Sequence, residues 1–61
     1  MKFVVYRDYA DEYRWRCLAD DGRVLAQSGE GYRRKIDCLA CIGRLKEDAP
    51  WAPVEEHTAA A

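Results

Sequence analysis

The chain of 61 residues has no long apolar run, only two prolines, one histidine and a net charge of −1. Each shortage excludes something. A helix needs about 20 mostly apolar residues to cross a bilayer, and no segment here offers them. The start, MKFVVYRDY, lacks an apolar stretch of signal-peptide length. No membrane association and a cytoplasmic location are therefore expected, with thiols kept reduced. Near-zero net charge sets up no global field toward nucleic acid or anionic lipid. Three cysteines are an odd count, which argues against a disulfide framework. GEGY, residues 29–32, is too short to cradle a phosphate, and no Gly-x-x-x-x-Gly-Lys pattern follows it.

What is present reads as one small α+β domain. KFVVYR, residues 2–7, is rich in β-branched and aromatic residues and stops at the turn cluster DYADE. EYRWRCLA, residues 12–19, alternates. Tyr13, Trp15, Cys17 and Ala19 form one row, with Arg14, Arg16 and Leu18 opposite. The aromatic row belongs in the core, because unpaired guanidinium groups are costly there. Asp21-Gly22 is a hairpin signal, and RVLAQS, residues 23–28, makes a third strand. Its core-facing parity stays open, since Val24 and Leu25 are both apolar. The three strands form an antiparallel meander.

From Arg33 the period becomes helical. Cys38, Ile42, Leu45 and Ala49 share one sector of the wheel, with Cys41 at its edge. Ile36, Leu39 and Gly43 form a second apolar sector. Arg33/Asp37 and Arg44/Asp48 have the i,i+4 spacing of supporting ion pairs. Pro50 limits the helix. Residues 52–56 are a candidate extra edge strand, with Pro53 suited to an edge. The expected core is Phe3, Val5, Trp15, Cys17, Cys38, Ile42 and Leu45.

The hairpin EYRWRCLADDGRVLAQSGEGY, Lys35 three residues beyond Tyr32, and the helix end IGRLKEDAP resemble the YegP-like family of small bacterial domains. The resemblance covers residues 1–54. It implies a β-β-β-α-β unit with one helix packed on an antiparallel sheet. Such units occur in tandem or as homodimers that form one sheet and exchange their C-terminal strands. It implies no reaction and no catalytic residue. The residues point toward a partner too. A chain this short buries only about 60% of its unfolded surface, one apolar helix sector is surplus, and the last strand has no neighbour. The domain is placed at residues 1–56, with a disordered tail at 57–61. Family members often carry Ser or Thr after the residue matching Tyr32, a natural N-cap, where this chain has Arg33 and Arg34.

The leading expectation is thus a non-enzymatic homodimeric module, structural or interaction-mediating, with Ile36, Leu39, Trp51 and Val54 as dimer contacts. No cofactor or metal is expected. The first alternative is single-stranded nucleic-acid binding. Lys2, Tyr6, Arg14 and Arg16 share the outer sheet face, and basic residues around an aromatic mark such platforms. The second is thiol redox or metal chemistry at Cys38 and Cys41. A Cys-x-x-Cys pair works when its first thiol sits at a helix N-terminus, whereas Cys38 falls within the apolar sector. A zinc set would need Cys17, Cys38, Cys41 and His57, without the usual second knuckle. Both thiols are better explained as small helix residues. Cys41, at the margin, is the candidate reactive thiol.

Overall fold

The computed structural model describes residues 1–59. Strands β1 (Lys2–Arg7), β2 (Tyr13–Leu18) and β3 (Val24–Gln27) form an antiparallel sheet in that order. Helix α1 (Lys35–Asp48) follows, and a 3₁₀ turn (Ala49–Trp51) ends the regular structure.

Register divides the sheet as alternation requires. Phe3 faces Cys17 and Val5 faces Trp15 on the helix side; Lys2 faces Leu18, Val4 faces Arg16 and Tyr6 faces Arg14 on the outer side. The β1–β2 turn is organised by Asp8. Its Oδ1 accepts from the amides of Ala10 (2.9 Å) and Glu12 (3.0 Å), and its own amide donates to the Glu12 carbonyl (2.9 Å). Asp11 takes φ +64°, a left-handed conformation that Asp tolerates. At the second turn Gly22 takes φ +91°, and its amide donates to the Ala19 carbonyl at 2.9 Å.

The open parity of β3 has a structural cause. Ala26 opposes Cys17 and Val24 opposes Leu18, with a bulge between Cys17 and Leu18. The bulge breaks the simple alternation, and both Val24 and Leu25 end up exposed. Beyond β3 the chain is tied back to β2. The Ser28 amide donates to the Trp15 carbonyl (2.9 Å), and the Ser28 hydroxyl accepts from the Trp15 amide (3.3 Å). Tyr32 then pairs antiparallel with Tyr13 through bonds of 2.7 and 2.8 Å. Gly31 passes close to Glu12: a Cβ there would fall 2.6 Å from the Glu12 carboxylate and 2.9 Å from its Cβ.

This pairing sets the helix start. Tyr32 is held in the ladder and Arg34 is extended, so α1 begins at Lys35 rather than at Arg33. Arg33 therefore lies outside the helix, and no Arg33–Asp37 ion pair forms among the described residues. Arg44 and Asp48 do approach, at 3.6 Å. Arg34 occupies the N-cap position with no side-chain cap bond.

The helix rests mainly on β2. Trp15, Cys17, Cys38 and Ile42 are buried, and Phe3, Val5 and Leu45 pack around them with Tyr13, Tyr32 and Cys41. Phe3 meets Trp15 edge-on at 5.6 Å. The expected core is thus the observed one, with the two tyrosines and Cys41 added to its edge. Residues 52–59 carry neither helix nor strand. Within one chain the unit is β-β-β-α, and the expected last strand at 52–56 has no partner. In the expected tail, 57–59 are likewise irregular, and 60 and 61 lie outside the described residues.

Candidate interaction surface

Two faces hold the residues singled out from sequence, and they differ in how far their groups are already satisfied. On the outer sheet face, Lys2, Tyr6, Arg14 and Arg16 stand together as the register requires. Arg14 is committed internally: its Nε donates to Asp8 Oδ2 at 2.6 Å. The Glu12 amide and then the Arg14 guanidinium hold the Asp8 carboxyl below the usual carboxylate range, and Asp8 raises Arg14 in turn. Arg16 lies over the Tyr6 ring, its guanidinium carbon 4.5 Å from the centroid. The aromatic face a nucleobase would stack on is thus occupied by the chain's own cation.

The second surface is apolar. Between the C-terminal half of α1 and the Lys2/Leu18 end of the sheet lies a groove of about 910 Å³. Its floor is Phe3, Trp15, Cys17 and Ala26, and its helical wall is Ile42 and Leu45. Met1, Lys2, Lys46, Ala49 and Pro50 complete it. Trp15 keeps its indole N–H buried without an acceptor in its own chain. Pro50 borders the groove, yet the next residue turns away: Trp51 is 85% exposed and Val54 98%. Ile36 and Leu39, on the second helix sector, are 66% and 47% exposed. All four expected dimer contacts therefore lie open on the single chain. The groove was not foreseen. Its signal is Phe3 opposite Cys17 at a sheet end that a helix stopped by Pro50 does not cover.

The thiols do not assemble a site. Cys38 is 0% exposed, and burial, with a smaller contribution from Cys41, pushes its thiol up. That is the reverse of what a redox nucleophile needs. Cys41 is half-buried beside Tyr32, and this contact, with burial, pushes the Tyr32 phenol up to about 12. Among the described residues no three metal-binding side chains converge. Cys17 is in the core, and His57 sits 3.0 Å from Glu55 on the exposed segment. No helix among them is long and apolar enough to cross a membrane.

The model of a domain of unknown function, DUF1508, matches residues 8–56. The chain belongs to that family. A UPF0339 protein of Neisseria meningitidis serogroup B is 41% identical over 56 residues, covering 92% of this chain and 98% of that one. An NMR solution structure of a protein from Haloferax volcanii superposes with a TM-score of 0.85 at 46% identity, covering 92% and 93%. The YegP-like resemblance and the sheet-plus-helix fold are thereby established, and no activity comes with them. A UPF0339 protein of Stutzerimonas stutzeri is 40% identical over 48 residues, and this chain covers only 42% of it. The DUF1508 match runs to residue 56, past the last residue that packs on its own unit.

Proposed function

We propose that this DUF1508 chain is a non-enzymatic interaction module that works as a homodimer, joined by exchange of its C-terminal segment. The observation that carries this reading is the segment itself. Residues 52–56 fall within the family match, yet within one chain they pair with nothing and leave Trp51 and Val54 in solvent. An exposed tryptophan next to an open apolar groove is surface that a partner normally covers. Exchange of an identical terminal element is a low-cost route to such a dimer. The Stutzerimonas relative has room for a second unit of this size in one chain, as pairing of two units would require. Catalysis finds no support: Cys17 and Cys38 are buried, and on the outer face Arg14 is held by Asp8 and Arg16 lies over Tyr6.

The test is sedimentation equilibrium of the full chain and of a chain ending at Pro50. The full chain is expected to be a dimer at micromolar concentration and the shortened one a monomer. A shortened chain that still dimerises would refute the exchange.

A further inference from the structure

The helix packs on one face of the sheet and leaves the other open. We infer that this outer face docks an acidic segment of a partner protein, whose carboxylates, spaced among aliphatic side chains, meet Arg16, the free end of Arg14 and Lys2. The inference extends the interaction reading above and does not depend on exchange of the C-terminal segment. Three observations point to this partner.

First, two guanidinium groups are held in place with donors to spare. A guanidinium carries five N–H donors. Asp8 engages only the Nε of Arg14, at 2.6 Å, and no other bond to that side chain forms among the described residues. The contact positions the fork and leaves its terminal nitrogens without a partner. Arg16 is exposed, rests over the Tyr6 ring and forms no ion pair among the described residues. Both arginines line a depression of about 540 Å³ on this face. Guanidinium groups already held this way grip a carboxylate with two bonds and have less freedom left to lose.

Second, aliphatic surface lies beside the arginines. Val4 stands opposite Arg16 in the β1–β2 pair, and Leu18 opposite Val24 in the β2–β3 pair. Val4 is 36% exposed and Val24 52%. A phosphate chain gains nothing from this stripe, whereas a peptide with Val, Ile or Leu between its acids covers it.

Third, the charge of the face suits a few carboxylates and not a polyanion. Asp11 pairs with Arg7, Asp21 with Arg23 and Asp20 with the N-terminal amine. The uncompensated cations that remain are Lys2 and Arg16. Nucleic acid carries a phosphate at every nucleotide and needs several cations along its track. Platforms for single strands also offer open aromatic faces in series. Here Arg16 occupies the face of Tyr6, and Tyr9 stands alone on the β1–β2 turn.

The test selects random short peptides displayed on phage against the immobilised full-length chain, then measures the best of them in solution. Enrichment of Asp and Glu interspersed with Val, Ile or Leu is expected. The selected peptide should shift the side-chain Nε–H signals of Arg14 and Arg16 in isotope-labelled protein. Arg16→Glu is expected to weaken its binding by about tenfold or more, and Val24→Ser several-fold. Arg16→Lys keeps the charge and loses the fork, so it should weaken binding as well. Peptides without an excess of acids, or peptides that bind Arg16→Glu as tightly as the parent, overturn the inference. Oligodeoxythymidine is the second probe. Its retention on the same residues without enrichment of acidic peptides overturns the inference too, and assigns the face to nucleic acid. Sedimentation decides the exchange separately: a monomer that still binds acidic peptides refutes the exchange and keeps this surface.

Discussion

The two ends of the sheet are finished differently. At the Arg7/Tyr13 end every strand is tied off. Asp8 gathers two amides and the Arg14 guanidinium, Arg7 pairs with Asp11, and Tyr32 closes a bridge onto Tyr13. At the Lys2/Leu18 end the helix stops at Pro50 and a groove stays open beside an exposed tryptophan. The closed end ties its turn polar groups together within one chain. The open end leaves apolar surface in water, and covering it is where the proposed assembly would lower free energy. In a chain of this size the two are linked, since one small core has little stability to spare.

Trp15 joins both ends, and its removal has the largest expected effect. It packs edge-on against Phe3, and its backbone is held by Ser28. Trp15→Ala is expected to cost about 3–5 kcal/mol. A domain of this length has roughly 0.05–0.15 kcal/mol per residue in hand, so the variant should show no cooperative unfolding transition by circular dichroism. A sharp transition near that of the parent would mean that the core is held elsewhere.

Asp8 tests the closed end. Asp8→Ala removes the acceptor for two amides and the partner of Arg14, and a clear drop in urea midpoint is expected. Asp8→Asn retains an oxygen for the amides and loses only the charge, so its drop should be smaller. The pH dependence has a definite sign. The folded carboxyl titrates below the ordinary value, so its contribution is complete above the unfolded pKa of about 3.9. It disappears as pH falls from there through the lowered folded value. Urea midpoints between pH 7 and pH 2 should fall less steeply on the acid side for Asp8→Asn than for the parent. Equal slopes would show that the Asp8 charge contributes nothing.

How much of this was legible follows the range of each interaction. The alternation in YRWRC placed Trp15 and Cys17 inward correctly, because one face of a strand needs only its own period. The helix wheel likewise separated Cys38 and Ile42 from Ile36 and Leu39. The parity of β3 was hidden, because a bulge is a property of a strand pair. The helix start was misplaced by two residues for a similar reason: a bridge to Tyr13, distant in sequence, holds Tyr32 extended. The Asp8 hub had a local signal, an Asp with amides two and four residues on, that turn chemistry makes recognisable. Arg14 as its partner had none, since antiparallel pairing brings the two together across the turn. The last strand was expected from Pro53 at an edge and from the family resemblance, and a strand needs an edge that its own sequence does not specify.

Arg34 offers a smaller gain at the helix start. It stands at the N-cap, extended, with no side-chain bond to the first turn. Arg34→Ser is expected to stabilise the chain by about 1 kcal/mol, read as a rise in urea midpoint at unchanged m-value. No change would mean that the first-turn amides are already satisfied by solvent.

The finest contrast between the ends lies in the thiols. Cys38 is buried deepest, Cys17 is buried but lines the groove, and Cys41 is half-exposed. Under dilute, monomeric conditions, thiol labelling with a small maleimide should therefore run Cys41 first, then Cys17, then Cys38. Burial raises the Cys38 thiol, which adds to its delay. At concentrations where the dimer forms, Cys17 should slow while Cys41 stays unchanged, because only the groove is covered. If all three rates ignore concentration, no second copy covers the open end, and the proposed exchange at that end is refuted.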